Sequence, residues 1–169
     1  MSLYPFGSVP GPAGSPGPAG ASLVRQKSEC YFSGLSLVIP TTPTNLINLI
    51  KNLTHTGSLA PFFNTTTNKL NVFNQNTTVT FKVNVIGTWS GASTNRSMTV
   101  DFPQTNGNSL TKTRDAQVTT DILSFPTFFS VDKDGNLATS GSDITIVSNG
   151  ATFTATAILL VAEQMVPSP

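Results

Sequence analysis

The amino-acid sequence predicts an all-β head built as a sandwich or jelly roll. The first observation is a strict alternation of apolar and polar residues over 79–89, which is the period of a half-buried strand. The second is a series of turn signals rich in Gly, Asn and Asp, at 106–108, 132–136 and 148–150. The third is an abundance of threonine, which suits a pleated surface. With a single helical pattern beside them, these features predict about eight to ten short strands.

A different kind of segment precedes this head. Glycine recurs at every third position as Gly11, Gly14, Gly17 and Gly20, with prolines between. A collagen triple helix needs this period, because three polyproline-II-like chains leave room only for glycine at their common axis. The alternative is a flexible Pro/Gly linker. The collagen interpretation predicts a stem at 1–22, a head at 23–169 and a homotrimer. Four triplets bury too little surface to hold three chains, so the head is expected to drive assembly.

Charge and cysteine content exclude several classes of function. Charged residues make up 10% of the chain, against about 25% in an average globular protein, and the formal net charge is +1. Because no basic run is present, nucleic acid is not an expected partner. The one cysteine, Cys30, permits neither an intrachain disulfide nor a thiolate metal cluster. We expect it to be a buried small hydrophobe, with a thiol that bridges chains as the alternative.

Membrane insertion and secretion by a leader are not expected either. The longest apolar run, 155–162, is far too short to span a bilayer. The first residues lack the basic and apolar regions of a signal peptide. The chain is therefore expected to be part of a longer protein or to reach its site by assembly.

The first half of the head contains one strand, one short helix and one hairpin. Residues 23–29 are predicted to be a charged junction and residues 30–39 a strand. The strand places these residues on one face: Tyr31, Ser33, Leu35, Leu37 and Ile39. Apolar residues at helical spacing within 44–53, with Thr44 as N-cap, predict a short helix. Residues 62–73 are predicted to form a short hairpin.

The second half is dominated by strands. Residues 79–89 are the clearest of them, and their odd-numbered positions carry the buried face. Further strands are predicted from alternation and β-branched content at 97–102, 117–123, 128–131, 137–139 and 144–147. Residues 132–136, Asp-Lys-Asp-Gly-Asn, are predicted to be the turn of a hairpin between the third and fourth of these.

The closing strand, 152–163, is apolar on both faces towards its end. One face is expected to carry these residues: Phe153, Ala155, Ala157, Leu159 and Val161. The opposite face begins with threonines and becomes apolar at Ile158 and Leu160. A strand that is apolar on both faces is buried on both, whereas a two-layer sandwich leaves one face to water. We therefore expect contacts with neighbouring subunits here, with Phe153, Ile158 and Leu160 as candidate trimer-contact residues.

The sequence offers no constellation for catalysis, for a cofactor or for a metal. The only histidine, His55, lies on a polar loop and is expected to be solvated, and no Gly-x-Ser-x-Gly elbow is present. Residues 132–136 resemble a calcium loop only superficially, because Gly135 comes two positions too early and the distal glutamate is missing. The acidic residues are scattered rather than paired as a glycosidase requires. An enzyme is therefore not expected.

Contact surfaces for a receptor are expected on exposed loops. The candidate loops are residues 104–109 and 132–136, and the receptor-binding residues themselves are unknown. The aromatic run at 125–129 is expected to be core packing or a subunit contact. Four Asn-x-Ser/Thr sequons are explained by the abundance of Asn and Thr in the chain.

The order of these segments resembles the C1q/TNF-like family, in which a Gly-X-Y stem precedes a compact all-β head. Residues 62–64 and 70–72 are similar to the family's segment before the central strand, and residues 79–89 are similar to that strand. Residues 158–162 are similar to the last strand, near the threefold axis. The resemblance implies a jelly roll that trimerises and registers the collagen-like stem. The Gly-Tyr-Tyr-like run of vertebrate members is absent from the central strand.

Within this class, the chain is most similar to trimeric heads of viral spikes and fibres, such as the vertex spikes of tectivirus-type phages. The resemblance implies a structural spike or fibre protein on the virion surface. It would be a homotrimer that contacts other capsid or spike proteins and serves host attachment or presents a receptor-binding element. The alternative is a C1q-like binding module, secreted or on a bacterial spore surface, that recognises protein or glycan.

Overall fold

Two antiparallel sheets form the head. The computed structural model describes residue 20 and residues 22–91, 94–105 and 107–168. Of the predicted stem glycines, Gly11, Gly14 and Gly17 lie outside the described residues. Gly20 is exposed and lies outside any strand. The collagen-like stem at 1–22 therefore stays a prediction.

Strands make up most of the described chain, and the two helices are single turns. In chain order the elements are β1 (Leu23–Ile39), β2 (Thr44–Asn45), α1 (Leu46–Ile50), β3 (Thr56–Ser58), β4 (Phe63–Asn64), β5 (Lys69–Leu70), β6 (Thr77–Trp89), β7 (Arg96–Asp101), β8 (Ser109–Arg114), β9 (Thr120–Val131), α2 (Asn136–Ser140), β10 (Thr145–Asn149) and β11 (Phe153–Pro167). The prediction of an all-β head with little helix is confirmed.

The strands are ordered β3-β1-β11-β6-β9 in the larger sheet and β2-β10-β7-β8 in the smaller one, and β4 pairs with β5 in a short hairpin. β6, the strand predicted with most support, lies between β11 and β9 in the five-stranded sheet. Its alternation is observed as predicted, because Val79, Phe81, Val83, Val85 and Trp89 are all buried. The inner faces of both sheets contribute to one core.

Aromatic rings join the two layers of the core. Phe102, which follows β7, packs edge-on against Phe81 of β6 at 5.0 Å and against Phe129 of β9 at 4.7 Å between ring centroids. At the other end of the sandwich, Trp89 and Phe153 pack edge-on at 4.8 Å. Such pairs add about 0.5–1.5 kcal/mol each beyond the area they bury.

β-Bulges change which residues of the first and last strands face the core. In β1 the register shifts between Ser33 and Leu37, where Gly34 has a φ of +68°. In β11 it shifts between Ala155 and Ala157. An extra residue in one strand reverses the side that later side chains face. The predicted shared faces of both strands are therefore wrong, since strict alternation cannot cross a bulge.

The bulges also explain a correction to the candidate trimer contacts. Phe153 faces the core before the bulge in β11, and Ile158 and Leu160 face the core after it. All three side chains are fully buried inside a single chain. They have no surface left for another subunit, so any subunit contact must use other residues.

Three local predictions are also corrected. The segment 137–139 is the helical turn α2 rather than a strand, so residues 132–136 lead from β9 into a helix. The short helix α1 is observed, but its N-cap is Asn45 instead of Thr44, because the Asn45 side chain accepts a hydrogen bond from the Asn48 N–H at 3.0 Å. The charged junction at 23–29 is part of β1.

Candidate functional site

The two loops predicted as contact surfaces come together around one cleft. We call it cleft A; it has a volume of about 670 Å³ and lies between the β7–β8 loop and the turn that leads from β9 into α2. The β7–β8 loop contributes Gln104, Thr105 and Asn108, and the turn contributes Asp132 and Asn136. A contact between Thr127 Oγ1 and Asn108 Oδ1, at 3.4 Å, links β9 to the loop.

Hydrogen bonds hold in place the wall of cleft A that the β7–β8 loop forms. The Gln104 side-chain amide donates to Asp143 Oδ2 at 2.9 Å, while its carbonyl accepts from the Asp143 N–H at 2.8 Å and from the Ser142 hydroxyl at 3.2 Å. The Thr105 hydroxyl donates to the Phe102 carbonyl at 2.8 Å. The loop is therefore anchored to the segment before β10, and the Thr105 bond closes a turn within the loop itself.

A second cleft is lined by α2, by the β4–β5 hairpin and by the residues that follow the hairpin. Cleft B has a volume of about 360 Å³ and shares Leu137 with cleft A. Its polar lining includes Asn64, Asn71 and Thr139, and its charged residue is Lys69. The Asn64 side-chain oxygen Oδ1 accepts from the N–H groups of Thr66 and Thr67, at 2.9 and 3.0 Å, which fixes the turn between β4 and β5. The sequence did not indicate cleft B, because its residues lie far apart in the chain.

Each cleft has an exposed phenylalanine at its wall. Phe128 of β9 borders cleft A and is 66% exposed, and the alternation along β9 places its side chain on the outer side of the five-stranded sheet with Ile122. Phe73, which follows β5, lines cleft B and is 45% exposed. The aromatic run at 125–129 was predicted to be core packing or a subunit contact. Phe125 and Phe129 are buried in the core, whereas Phe128 faces solvent in the single chain.

The outer face of the five-stranded sheet is the other surface of interest. Two cross-strand rows form its apolar part. One row carries Ile122 of β9, Ile86 of β6 and Ala157 of β11, and the next carries Leu159 of β11 and Tyr31 of β1. Ile122 is 63% exposed and Tyr31 42% exposed. We call this surface the apolar face; it lies on the side of the sheet opposite the core.

A polar atom without a partner lies within the apolar face. Asn84 of β6 stands in register with Leu159 and Ser124. Its side-chain carbonyl oxygen is buried and has no hydrogen-bond partner among the described residues. A buried acceptor without a donor costs about 1–3 kcal/mol, so a donor from outside the chain would be stabilising here.

Charged residues continue the same face towards the chain ends. Arg25 and Glu163 pair across β1 and β11 with 3.7 Å between Nη1 and Oε2. Lys27 pairs with Glu29 of the same strand. These pairs are exposed, so each contributes little to the stability of a single chain.

Cys30 and His55 form a partly buried contact. The Cys30 Sγ lies 3.0 Å from His55 Nδ1, and the imidazole packs against Phe32 at 5.1 Å between ring centroids. Burial raises the pKa of the Cys30 thiol to about 11, so it stays protonated at neutral pH and is a poor nucleophile. Cys30 is a buried hydrophobe as predicted. The prediction that His55 is solvated is wrong, because its ring is half-buried.

A buried arginine at the far end of the sandwich was not predicted. Arg96 of β7 is 2% exposed, and its guanidinium donates to the carbonyls of Ser90 and Ala116. It lies 5.8 Å from the centre of the Trp89 ring, within cation–π distance. Arg96 therefore links the loop after β6 to the loop after β8. Its role has no sequence signal, because Arg96 stands in a polar segment typical of a solvated loop.

Within residues 22–91, 94–105 and 107–168, no group of three His, Cys, Asp or Glu side chains could hold a metal ion. Neither helix in this part of the chain is long and apolar enough to cross a membrane.

Comparisons with known proteins give the family. Residues 24–164 match the family model described as "Sf6-type phage tail needle knob or tip of some Caudovirales". The tail needle protein of Shigella phage Sf6 is 53% identical over 141 residues, which are 83% of this chain and 50% of that protein. The chain thus spans about half the length of this curated relative.

A solved structure supports the fold. The PRD1 vertex protein P5 matches with a TM-score of 0.51 and 10% identity, over 88% of this chain and 99% of that chain. This likeness concerns the fold alone. The prediction of a virion spike is confirmed as a phage tail structure, while the C1q/TNF-like type and the stem remain predictions. The chain belongs to the family of Sf6-type phage tail needle knobs or tips and is a component of the virion at the tail tip.

Proposed function

We propose that three copies of this chain form the knob of a phage tail needle and that this knob contacts the host cell during attachment. The observation that carries the proposal is the apolar face of the five-stranded sheet. Soluble monomers rarely expose a contiguous apolar patch at the centre of a sheet. A second copy of the chain is the occupant we assign to it.

Three features support copies of the same chain as the partners. The Gly-X-Y repeat at 11–20 is the pattern of a three-chain helix. The side-chain carbonyl of Asn84 has no donor among the described residues, and a neighbouring copy could supply one. Charged residues of both signs, including Arg25, Glu29 and Glu163, border the apolar face and could set the register between copies.

The positions of the chain ends support a knob on a stem. Leu23 pairs with Pro167, so the described chain enters and leaves the sandwich at one end. The loops after Trp89 lie at the opposite end, where the Trp89 N–H donates to the Thr119 carbonyl and the Ser90 N–H to the Thr152 carbonyl, each at 2.7 Å. We assign this far end to the host-facing side. Threefold repetition would let weak single contacts combine into useful avidity.

The test of assembly is the mass in solution. Light scattering on the full chain is expected to give three times the chain mass of 17.8 kDa. The same mass is expected after removal of residues 1–22, because the apolar face lies in the head. A mass of one chain for both proteins would contradict the proposal, and a trimer only with residues 1–22 present would assign assembly to the stem.

The test of attachment is competition with phage particles. The purified chain, added to host cells before the phage, is expected to lower the adsorption rate because it occupies the same surface sites. The same chain after heat denaturation is the control. Unchanged adsorption at saturating protein would contradict the attachment role and leave the structural role in the tail intact.

A further inference from the structure

We propose that the far end of the sandwich binds a small monovalent anion, a halide or the carboxylate of a small acid, between Arg96 and Trp89. Arg96 is the first residue of β7 and Trp89 the last residue of β6, and both side chains belong to the buried faces of their strands. They are 2% and 4% exposed, so the site lies beneath the surface. It shares no residue with the apolar face or with the two clefts.

The positive charge of Arg96 has no carboxylate partner in the described part of the chain. All eight acidic residues of the protein lie within that part. None of the three ion pairs found there includes Arg96. A buried charge is costly to a folded protein unless an opposite charge compensates it. A counter-ion from solution would therefore be stabilising at this position.

A second arginine makes the surroundings of Arg96 more positive. Arg114 of β8 stands directly opposite Arg96 in the register with β7, an arrangement in which like charges destabilise a sheet. Arg114 is already paired, with 2.7 Å between its Nε and Asp121 Oδ2. Asp115 of the following loop is exposed, and its Oδ1 accepts from the Gln117 N–H. The two arginines and Asp121 together keep one positive charge, which a monovalent anion would neutralise.

Two buried N–H donors of the site lack acceptors. An arginine has five N–H donors, and Arg96 uses Nη1 on the Ser90 carbonyl and Nη2 on the Ala116 carbonyl. Its Nε is buried without a hydrogen-bond partner among the described residues, and so is Nε1 of Trp89. Because Cζ of Arg96 lies 5.8 Å from the centre of the Trp89 ring, the two donors belong to one cluster. An anion would accept from such donors and supply the missing charge at once.

Water and larger ligands fit the site less well. A water molecule can accept from an N–H donor, but it leaves the charge of Arg96 uncompensated. The almost complete burial of Arg96 and Trp89 favours an ion of one or a few atoms over a sugar or a peptide. The occupant we assign is therefore a small anion.

A bound anion would hold together the loops of the far end. Ser90 belongs to the loop after β6 and Ala116 to the loop after β8, and Arg96 bonds to both. The turn after β10 packs closely on the same place, since a Cβ on Gly150 would lie 2.4 Å from the Asn95 carbonyl oxygen. Neutralising Arg96 would thus fix loops that we assign to the host-facing side. This consequence rests on the proposed function, whereas the anion site itself does not.

The fluorescence of Trp89 tests the site directly, because Trp89 is the only tryptophan of the chain. The full chain is titrated with sodium bromide, a heavy-atom quencher, while sodium gluconate, whose anion is too large for the site, keeps the ionic strength constant. We expect quenching that saturates and that chloride or formate relieves by competition. Relief by chloride assigns a halide to the site, and relief by formate alone assigns a carboxylate. Quenching that is absent, that rises linearly with bromide, or that neither anion relieves would overturn the proposal.

A pair of variants tests the role of Arg96. Arg96→Gln keeps a donor for the loop carbonyls but removes the charge, so we expect it to weaken bromide binding about tenfold or more. Lys112→Gln removes the same charge from an exposed position of β8 and is the matched control, which should bind bromide normally. Equal bromide affinity of the two folded variants would overturn the proposal.

Diffraction covers the case in which Arg96→Gln does not fold. Crystals of the unaltered chain grown in sodium bromide are expected to show an anomalous-difference peak within hydrogen-bond distance of Arg96 Nε or Trp89 Nε1. Absence of this peak would overturn the anion site. If the same protein is a trimer and competes with phage adsorption, the proposed function stands without the anion.

Discussion

The outer faces of the two sheets differ in chemistry although the sheets share one core. The five-stranded sheet exposes Ile122 and Tyr31 and buries the Asn84 carbonyl without a donor. The four-stranded sheet presents hydroxyls instead, and Thr99 of β7 bonds Thr111 of β8 across the strands at 2.8 Å. Hydroxyls on a pleated face are satisfied by each other and by water, whereas the apolar face gains from being covered. This difference is the basis of our proposal that the five-stranded side of the sandwich meets another copy.

The largest expected effect comes from a charge placed on the apolar face. Ile122→Glu is expected to abolish the trimer, because burying an uncompensated carboxylate costs about 3–5 kcal/mol per copy. Thr113→Glu, at an exposed position on the outer side of the four-stranded sheet, is the matched control and should assemble normally. Sedimentation equilibrium measures both. Equal assembly of the two variants would remove the distinction between the faces.

A smaller effect is expected from Asn84. If a neighbouring copy donates to its carbonyl, Asn84→Leu leaves that donor unpaired and weakens assembly by about 1–3 kcal/mol. If no donor is present, the leucine enlarges the apolar face and strengthens assembly. The sign of the change in the dissociation constant therefore decides whether the Asn84 carbonyl has a partner from another chain; stronger assembly would contradict our assignment.

The smallest effect is expected from a change on the outer face of the four-stranded sheet, which presents hydroxyls. Thr99→Val removes the cross-strand bond to Thr111 and should lower the free energy of unfolding by about 0.2–1 kcal/mol. The trimer mass should stay the same, since this face is assigned to solvent. Urea denaturation and light scattering check the two parts. A change in mass would indicate that the four-stranded sheet also contacts a neighbour.

The fold class follows from the sequence where local periodicity is uninterrupted. β6 alternates over its whole length, so its position and buried side were predictable from residues 79–89. β1 and β11 contain bulges at Gly34 and near Ala155, and nothing local distinguishes a bulge from a continued strand. That is why Phe153, Ile158 and Leu160 were assigned to subunit contacts while they lie in the core. The segment after Gly135 is a helical turn although the sequence predicts a strand there, because three residues are too few to separate the two.

The candidate sites were also predictable from the sequence only in part. The loops at 104–109 and 132–136 were predictable as exposed turns, since Gly, Asn and Asp mark them. Their meeting around cleft A depends on the pairing of β9 with β6 and of β7 with β8, which is set by the tertiary fold. The apolar face was anticipated from the double-sided pattern of β11, although Leu159 rather than Leu160 carries it.

Thiol labelling tests most directly the claim that another copy covers the apolar face. It compares the outer faces of the two sheets in assembled proteins that differ only in the position of the added thiol. Ile122→Cys and Thr113→Cys both place a thiol at a position exposed in a single chain. The native Cys30 adds little background, because burial raises its pKa to about 11. We predict rapid labelling of the Thr113→Cys protein and labelling of the Ile122→Cys protein slower by about tenfold or more, as expected when a partner covers the site. Equal rates at both positions, under native conditions, would contradict the assignment of the apolar face to subunit contact.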